Sequence, residues 1–460
     1  MPFDLRLTAQ QRESLKAHLF SGDGNEAVSV AVCGFRNGPD RTIFCVHQVL
    51  HIPYEACAER SPVRVRWDVM AAMPAIEVAV KRGGAVLKIH SHPNGFTAFS
   101  TYDDASDKEL FAAISRLSDG KVQGLSVVMM PGGALFGRVV SQAGVFTPLR
   151  RLMVAGDDIE FFGSESEPTA PGEAEMRTRQ AFGDKTVALL RGLTVGVVGC
   201  SGTGSWVVEM LGRLGVGKLV LVDPDVIERK NLNRIVNSTE VDAENKTSKV
   251  EVMARGIAAN GLGTKVRAIQ GDLARRDVIE ELAACDVLFG CMDSADGREL
   301  LNRIATYYII PYFDVGIRLD ADGSGGINQI CGAVHYLIPG GSSLLSRGVI
   351  TSAQVGAEAM RRRNPEQYQA LLKEGYIRGI AVDRPAVISV NGFVASHAVN
   401  ELLARLHPFR SDGNDEFRYQ ILSLRDGAWL RIPDGEKCGF LNSKTGRGDC
   451  TPLLGSPELS

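Results

Sequence analysis

The amino-acid sequence predicts an α/β protein with two domains, a mixed α/β unit followed by a doubly wound parallel sheet. Its 460 residues exceed the size at which one hydrophobic core stops growing, so two or three domains are expected. A stretch at 154–175 rich in acidic residues, Ser, Pro and Gly predicts a linker. We therefore expect domains at 1–153 and 176–410, with a C-terminal β-hairpin and tail at 411–460 attached to the second domain.

Composition and charge argue against several classes of partner. The chain is 44% hydrophobic and 23% charged, as is usual for a folded globular protein. The formal net charge is −3 without any Lys/Arg block, so we expect no nucleic-acid partner. The N-terminus lacks the apolar run of a leader and no stretch is long and apolar enough to span a bilayer, so we expect a cytoplasmic protein without a membrane partner.

Three β-rich runs build the first predicted domain. They are 27–33 (AVSVAVC), 42–50 (TIFCVHQVL) and AVLKIHSH, which begins at Ala85 and ends in two histidines. With a predicted helix after the third run, they indicate a mixed α/β unit.

The end of the third run predicts a metal site. Alternate side chains of a strand share one face, so His90 and His92 point the same way. Ser100 and Asp103 follow after a short loop, at the start of the predicted helix. Two imidazoles and a carboxylate can bind a catalytic zinc, which keeps a fourth position for water.

The spacing His-x-His-Pro followed by Ser-x-x-Asp resembles the JAMM (JAB/MPN) metalloprotease signature, over roughly the first third of the chain. The resemblance implies a cytidine-deaminase-like fold, Zn²⁺ bound by His90, His92 and Asp103, and Ser100 beside the oxyanion of the tetrahedral intermediate. It also implies an upstream glutamate as general base, and Glu26, just before a predicted strand, is in the expected place. The implied activity is that of a zinc isopeptidase.

Strand-like and helix-like segments alternate in the second predicted domain. LTVGVVG predicts a buried strand, WVVEMLGRLG a helix and KLVLVD a second strand; a helix (KTSKVEVMARGIAANG) and the strands KVRAIQGD and DVLFGCMD follow. From about Ser411, RYQILSLR and AWLRI predict an edge hairpin. The alternation predicts a Rossmann-like sheet.

A glycine-rich turn follows the first of these strands and opens a helix. Gly199, Gly202 and Gly204 form the pattern G-x-x-G-x-G, where backbone amides and the helix dipole favour phosphate. This order differs from the dinucleotide pattern G-x-G-x-x-G, so a nicotinamide oxidoreductase is only a distant alternative.

Polar residues further along complete a predicted ATP site. Asp223 and Asp225 follow the second strand and can meet ribose hydroxyls, and the cations Arg234 and Lys249 suit a triphosphate. Asp293 ends the strand DVLFGCMD, where a carboxylate can bind magnesium or meet the reacting carboxyl group.

Most of the chain after the linker resembles the ThiF/MoeB/HesA and ubiquitin-activating superfamily, through the Gly-rich loop, D-x-D, N-L-x-R, a helix lysine and Cys-x-Asp-Ser. The resemblance implies these roles: ribose binding by Asp223, phosphate binding by Asn231, Arg234 and Lys249, Mg²⁺ binding by Asp293, and an arginine near the triphosphate, Arg179. The family is usually dimeric, so a homodimer is expected and Arg179 can come from either subunit.

The implied activity is ATP-dependent adenylation of the C-terminal carboxylate of a ubiquitin-like protein. The peptidase domain would trim or release that protein, so both domains would share one substrate. A sulfur-carrier system in biosynthesis and a non-catalytic scaffold that binds the ubiquitin-like protein are the alternatives. For a bacterial fusion of this kind, the resemblance makes antiphage defence a plausible role.

Two features depart from the superfamily pattern. In PGGSSLLSRG, Ser343 and Ser346 occupy the positions where many relatives carry zinc-binding cysteines, so a four-thiolate zinc is not expected. The segment 339–384, where a thioester cysteine for transfer to a conjugating enzyme is expected, contains no cysteine. The open candidates are Cys331, Cys438 and Cys450. Otherwise the enzyme stops at the adenylate or hands the acyl group directly to a partner's thiol.

Overall fold

The computed structural model describes residues 1–163, 172–373 and 386–459. The chain divides into two compact units: Met1–Glu165, Thr306–Ile309 and Lys444–Pro457 in the first, and Ser166–Ala305, Ile310–Ser443 and Glu458–Ser460 in the second. The predicted α/β class is confirmed, since each unit is built on a mixed sheet with helices. In the part of the chain that the structure describes, no helix is both long enough and apolar enough to cross a bilayer.

A nine-stranded mixed sheet forms the first unit. Within residues 1–163 the strands and helices are β1 (Phe3–Thr8), α1 (Ala9–Leu19), β2 (Val28–Asn37), β3 (Thr42–His51), β4 (Cys57–Ser61), β5 (Arg64–Trp67), α2 (Met73–Arg82), β6 (Ala85–Ser91), α3 (Thr101–Leu117), β7 (Gln123–Met129), β8 (Leu135–Val140), β9 (Phe146–Pro148), β10 (Arg151–Ala155) and β11 (Ile159–Gly163). The sheet order is β11-β10-β1-β3-β2-β6-β7-β8-β9, and β4 and β5 form a separate hairpin. One apolar cluster packs the sheet against α1, and another packs it against α2 and α3.

Strand β6 lies inside this sheet and carries the predicted metal ligands to its end. It pairs antiparallel with β2 and parallel with β7, and all seven of its residues are buried. A strand that is covered on both faces is apolar over most of its length, as AVLKI is. The polar residues at its carboxyl end therefore stand out from the core pattern.

Two segments that are distant in sequence, Thr306–Ile309 and Lys444–Pro457, complete the first unit. The Gly34 amide donates to the Gly446 carbonyl at 3.2 Å, and Arg6 Nη1 donates to the Tyr308 carbonyl at 3.1 Å. A Cβ atom on Gly34 would lie 2.1 Å from the carbonyl oxygen of Arg447, so only glycine permits this approach. The C-terminal segment is therefore part of the first unit's packing.

Two predicted boundaries differ from the structure. The predicted linker 154–175 begins too early, because Ile159–Gly163 is strand β11, an edge strand that pairs antiparallel with β10. Residues 164–171 of that linker lie outside the described residues. The predicted segment 411–460 does not belong wholly to the second domain, because Lys444–Pro457 groups with the first unit. Strand β11 is a five-residue edge strand, and Lys444–Pro457 packs against residues far away in the sequence, so neither segment carries a periodic pattern long enough to predict it.

An eight-stranded sheet forms the second unit. From residue 176 onward the elements are α4 (Met176–Gly192), β12 (Thr194–Val198), α5 (Gly202–Arg213), β13 (Lys218–Val222), α6 (Glu240–Glu244), α7 (Lys249–Asn260), β14 (Lys265–Ile269), α8 (Arg276–Ala283), β15 (Val287–Gly290), α9 (Ala295–Tyr307), β16 (Tyr312–Ala321), β17 (Ile327–Leu337), α10 (Ser352–Arg363), α11 (Pro365–Lys373), α12 (Ile388–Leu406), β18 (Tyr419–Ser423) and β19 (Ala428–Arg431). The sheet order is β14-β13-β12-β15-β16-β17-β18-β19.

The five strands from β14 to β16 in that order are parallel, and β17, β18 and β19 extend the sheet by antiparallel pairing. The predicted Rossmann-like arrangement is confirmed for this unit. Chain order reverses between β12 and β15, and ligands of such sheets bind at the carboxyl ends of the strands beside that point.

Candidate functional site

Three predicted metal ligands converge in the first unit. The ligand atoms of His90, His92 and Asp103 all lie within 4.8 Å of one another. His90 Nε2 is 2.9 Å from Asp103 Oδ1 and 3.1 Å from His92 Nε2, and His92 Nε2 is 3.6 Å from Asp103 Oδ2. Ligands of one tetrahedral zinc lie about 3.3–3.6 Å apart. The donor set and its spacing therefore fit a zinc ion after movements of a few tenths of an ångström.

Local sequence explains how Asp103 reaches the histidines. Ser100 is the N-cap of α3, and the two residues form a capping box. The Asp103 amide donates to Ser100 Oγ at 3.1 Å, while Asp103 Oδ2 accepts from the Ser100 amide and from Ser100 Oγ, each at 2.7 Å. Ser100 thus holds the predicted ligand at the first turn of the helix. Its predicted oxyanion role stays a prediction.

The histidines differ in what their second nitrogen contacts. His92 Nδ1 lies 2.7 Å from the Phe96 carbonyl, an arrangement that commonly orients metal-binding imidazoles. His90 Nδ1 is buried and has no hydrogen-bond partner among the described residues.

Burial and hydrogen bonding set the protonation of this cluster. Desolvation lowers the pKa of His90, which favours the neutral form that a metal requires. Desolvation also opposes charge on His92, but hydrogen bonds to Asp103 and Phe96 raise its pKa above the ordinary value. Burial would raise the pKa of Asp103, yet the contacts with His90 and His92 outweigh it and hold that pKa well below its usual range.

Glu26 lies next to this cluster. It precedes β2, whose first residue, Val28, is paired with His90 in the antiparallel register. Its residue surface is only 4% exposed, and burial raises the pKa of its carboxyl to about 7. The charge of His92 lowers that pKa and the charge of Asp103 raises it. A carboxyl group that titrates near neutrality suits general acid–base chemistry.

The second candidate site is the glycine-rich turn between β12 and α5. Gly199 has φ of +89°, a conformation that favours glycine, and its amide donates to the Val222 carbonyl at 2.8 Å. A Cβ on Gly204 would lie 1.8 Å from the Gly199 carbonyl oxygen, and a Cβ on Gly202 would lie 1.9 Å from the side chain of Asn391. All three predicted glycines are therefore required by the backbone or by close packing.

Asp223, directly after β13, anchors this turn. Its Oδ2 accepts from the Cys200 amide at 2.7 Å and its Oδ1 accepts from the Asp225 amide at 2.9 Å. Lys249 Nζ donates to Asp225 Oδ2 at 2.7 Å and lies 3.7 Å from Asp223 Oδ1. Burial raises the pKa of Asp223, while Lys249 acts in the opposite direction. The predicted phosphate-binding lysine is thus paired with both predicted ribose-binding carboxylates.

The N-L-x-R segment forms a tight turn. Asn231 is buried, its Oδ1 accepts from the Glu228 amide at 3.0 Å, and its carbonyl accepts from the Arg234 amide at 3.0 Å. Arg234 is half-buried, and its Cδ would lie 3.5 Å from a Cβ on Gly202. Asn231 therefore shapes the turn, and Arg234 brings a cation to the glycine-rich loop.

Of the two remaining predicted residues, Asp293 is exposed and Arg179 is half-buried. Asp293 follows β15 and is exposed at the carboxyl edge of the sheet. Arg179 lies on α4, where its Nε donates to Asp184 Oδ1 at 2.6 Å. Within the described residues, Arg179 pairs with its own helix and not with the glycine-rich turn.

Sequence patterns do not predict Asn391, which lies on α12 and is buried against the glycine-rich turn. With its amide in the orientation that satisfies both groups, Oδ1 accepts from the Thr203 amide at 3.0 Å and Nδ2 donates to the Val387 carbonyl at 2.7 Å. The Thr203 amide belongs to the first turn of α5, where phosphate binding is expected. No local motif marks a residue so far along the chain.

Comparison with known proteins assigns the part of the chain that carries the glycine-rich turn to a family. The model of the ThiF family matches residues 175–436. The chain belongs to the ThiF family. The matched residues include the whole glycine-rich site, whereas the JAMM interpretation of residues 1–153 stays a proposal.

Among curated proteins, the chain is similar to the SAMP-activating enzyme E1 of Haloferax volcanii, with 31% identity over 145 residues, 32% of this chain and 49% of that protein. It is also similar to the ubiquitin-like modifier-activating enzyme 5 of Drosophila pseudoobscura pseudoobscura, with 24% identity over 196 residues, 40% of this chain and 47% of that protein. The chain thus spans about half the length of the curated relatives it matches. E. coli MccB, solved with ATP, aligns at 16% identity and a TM-score of 0.45, covering 58% of this chain and 74% of that one.

In this ThiF-family chain, hydrogen bonds close the Ser-x-x-Ser turn. The Ser343 amide donates to Ser346 Oγ at 2.9 Å, and the Ser346 amide donates to Ser343 Oγ at 3.1 Å. Ser346 Oγ also donates to the Glu436 carbonyl at 3.0 Å, and the neighbouring Arg347 binds Asp434 Oδ1 through Nη2 at 2.7 Å. These contacts join the segment after β17 to the segment after β19.

The cysteines kept open for a thioester differ in exposure. Cys331 on β17 and Cys450 in the C-terminal segment are half-buried, and Cys438 is buried. Burial raises the pKa of Cys331, the opposite of what activates a thiol. None of the three is assigned a transfer role.

Proposed function

We propose that the second unit adenylates the C-terminal carboxylate of a ubiquitin-like protein with ATP. The observation that carries this proposal is the ThiF family match over a glycine-rich turn whose loop is anchored by Asp223 and flanked by Lys249 and Arg234. The curated relatives, which are named as activating enzymes for a ubiquitin-like modifier and for SAMP, support a ubiquitin-like substrate.

In the proposed reaction, a carboxylate oxygen of the substrate attacks the α-phosphorus of ATP. A carboxyl–phosphate bond forms, the bond between the α-phosphorus and the bridging oxygen breaks, and pyrophosphate leaves. The amides at the start of α5 would bind phosphate oxygens, and Asp223 would accept hydrogen bonds from the ribose. Lys249 would move from Asp225 to the phosphates, and the exposed Asp293 would bind Mg²⁺ through carboxylate oxygens. Catalysis is then mainly positioning and charge neutralisation.

ATP–pyrophosphate exchange by the full chain tests this proposal, with candidate ubiquitin-like proteins from neighbouring genes as substrates. Exchange should depend on the substrate and should be lost in Asp293→Ala. Asp320→Ala removes another exposed carboxylate, on β16, and should exchange like the wild type. Exchange that is absent with every substrate would instead favour the scaffold alternative.

We also propose that the first unit is a zinc-dependent peptidase acting on the same ubiquitin-like protein. The observation that favours it is the convergence of His90, His92 and Asp103 beside Glu26. A bound zinc would supply an acidified water and polarise the substrate carbonyl. Glu26 would accept a proton at its carboxylate and deliver it to the nitrogen of the leaving amine as the amide C–N bond breaks.

Metal analysis and a cleavage assay test the peptidase proposal together. The substrate is a ubiquitin-like protein extended at its C-terminus by an isopeptide or peptide bond. Glu26→Gln should keep the zinc and lose cleavage, since Glu26 is not a proposed ligand. Cleavage by Glu26→Gln at the wild-type rate would remove Glu26 from the mechanism.

A homodimer is part of the same proposal for the second unit. Arg179 is half-buried and, among the described residues, donates to Asp184 on its own helix, so it is available to reach the nucleotide of a partner subunit. Mixing Arg179→Ala with Asp293→Ala should restore partial exchange if each subunit completes the other's site. No recovery in a mixture shown to contain mixed dimers would favour an arginine supplied within one subunit.

A further inference from the structure

We infer that Asp107, held between Lys88 and Arg138, positions helix α3 so that Asp103 meets the two histidines. This inference rests on the proposed zinc site and assigns that site a set of supporting residues. None of the three is a proposed metal ligand, so they are positioning residues.

Strand β6 and helix α3 are joined by two successive polar pairs. The first pair is His90 with Asp103. Lys88 lies two residues before His90 and shares its face of the strand, and Asp107 lies four residues after Asp103 and shares its face of the helix. Lys88 Nζ donates to Asp107 Oδ1 at 2.7 Å. The second pair thus has the same arrangement as the first. It lies two residues further from the end of the strand and about one turn further into the helix.

A third residue contacts the second pair from β8, which lies two strands away from β6 in the sheet. Arg138 on β8 donates to Asp107 Oδ2 from Nε at 3.2 Å and from Nη2 at 2.7 Å. Its Nη1 donates to Asp104 Oδ1 at 2.5 Å. One carboxylate therefore joins a lysine on β6 to an arginine on β8.

These charges are almost completely removed from water. Asp107 is 0% exposed, Lys88 2% and Arg138 6%. A buried ion network is a weak source of stability, because desolvation offsets much of the attraction, and apolar residues of similar size often do as well. The network is better explained by the geometry that it imposes than by the energy that it contributes.

Arg138 also contacts the start of helix α3. Its guanidinium lies 3.7 Å from the ring centroids of Phe99 and Phe146. Phe99 directly precedes Ser100, the N-cap that holds Asp103. Arg138 therefore restrains the helix at its start through Phe99 and about two turns later through Asp107.

Such restraint matters because a metal site tolerates only small displacements of its ligand atoms. A helix advances about 1.5 Å per residue, whereas zinc–ligand distances hold to about 0.2 Å. A slide or rotation of α3 by a fraction of one residue would carry Asp103 out of reach of the ion that His90 and His92 hold.

Zinc affinity of the full chain, measured by competition with a chromogenic chelator, tests the inference. Asp107→Asn should weaken zinc binding by about 10- to 100-fold, the usual cost of losing support for a metal ligand. Its Co²⁺-substituted form should show altered visible absorption, because the ligand geometry changes. Glu109→Gln removes the same charge from an exposed position on the same helix and should bind zinc like the wild type.

A second variant keeps the test decisive if Asp107→Asn does not fold. Arg138→Lys retains the charge but not the double contact with Asp107 or the stacking on both rings, and it should also weaken zinc binding and alter the Co²⁺ spectrum. A folded Asp107→Asn or Arg138→Lys protein with wild-type zinc affinity and an unchanged Co²⁺ spectrum overturns the positioning role alone. Failure of the wild type to bind zinc overturns the peptidase proposal and this inference together.

Discussion

The metal-ligand cluster of the first unit and the glycine-rich site of the second unit hold their charges differently. His90, His92 and Asp103 face one another directly, so a cation only has to enter among them. In the second unit, Lys249 is already neutralised by Asp225 and lies near Asp223. If the proposed ligands bind, a metal ion would be added at the first site, whereas at the second site a nucleotide would take Lys249 from its carboxylate partners.

The difference follows from the ligands that each site is proposed to bind. Imidazoles are neutral donors, so two of them and one carboxylate can converge without strong repulsion. A triphosphate needs several cations, and a buried cation without a partner is costly. The second unit therefore keeps its own carboxylates beside its lysine, and the first unit needs no such counter-charge.

Removing a proposed metal ligand should have the largest effect of the changes considered. His92→Ala should lose bound zinc and reduce peptide cleavage on the order of 10³-fold or more, because a bound metal supplies several kcal/mol of transition-state stabilisation. ATP–pyrophosphate exchange should persist. His51→Ala changes a half-buried histidine of the same unit and should keep its zinc. Cleavage that survives both His92→Ala and exhaustive chelation would refute the metal mechanism.

Removing the lysine of the second site should have the next largest effect. Lys249→Met should slow ATP–pyrophosphate exchange about 10²- to 10³-fold, because losing one preorganised group that stabilises charge in the transition state typically lowers the rate by that factor. Zinc content and peptide cleavage should not change. Lys218→Met lies at the opposite end of β13 and serves as the matched control. Equal exchange by the two variants would show that Lys249 only stabilises Asp225.

The pH dependence of folding stability can test whether the buried carboxyl of Glu26 has a raised pKa. Burial raises the pKa of its carboxyl to about 7 from an ordinary value of 4.5, so the metal-free folded chain holds a proton that the unfolded chain releases between these pH values. Stability contributed by the protonated carboxyl is complete below pH 4.5 and is lost as the pH rises through 7.

Because a glutamine side chain cannot ionise, metal-free Glu26→Gln should be more stable than the wild type by about 3 kcal/mol at pH 8, with that advantage nearly absent near pH 4.5. Denaturant unfolding in the presence of a chelator measures the difference. Glu109→Gln controls for loss of a carboxylate at an exposed position on α3. An advantage of the same size at both pH values would show that ionisation of Glu26 is not its cause.

The smallest expected effect concerns the Ser-x-x-Ser turn. Ser346→Ala removes a hydroxyl that contacts both Ser343 and the Glu436 carbonyl and should lower the free energy of unfolding by about 1 kcal/mol. Zinc content should stay at the wild-type value, because the turn is held by hydrogen bonds. Ser352→Ala, at the exposed start of α10, is the control for serine loss. Loss of zinc in Ser346→Ala would contradict this interpretation.

The sequence by itself determined those features that depend on local backbone rules. The turn at Gly199 needs a positive φ, and the pair His90 and His92 follows from strand alternation. Ser100 and Asp103 follow from helix capping. In each case neighbours along the chain set the geometry, so a short pattern was sufficient to predict it.

Only the tertiary structure decided which remote side chains meet. Asn391 reaches the Thr203 amide, and Asp107 joins Lys88 to Arg138. The same holds for Lys444–Pro457, which lies with the first unit. These contacts join residues far apart in the chain, and they depend on sheet order and packing, for which single residues carry no local signal.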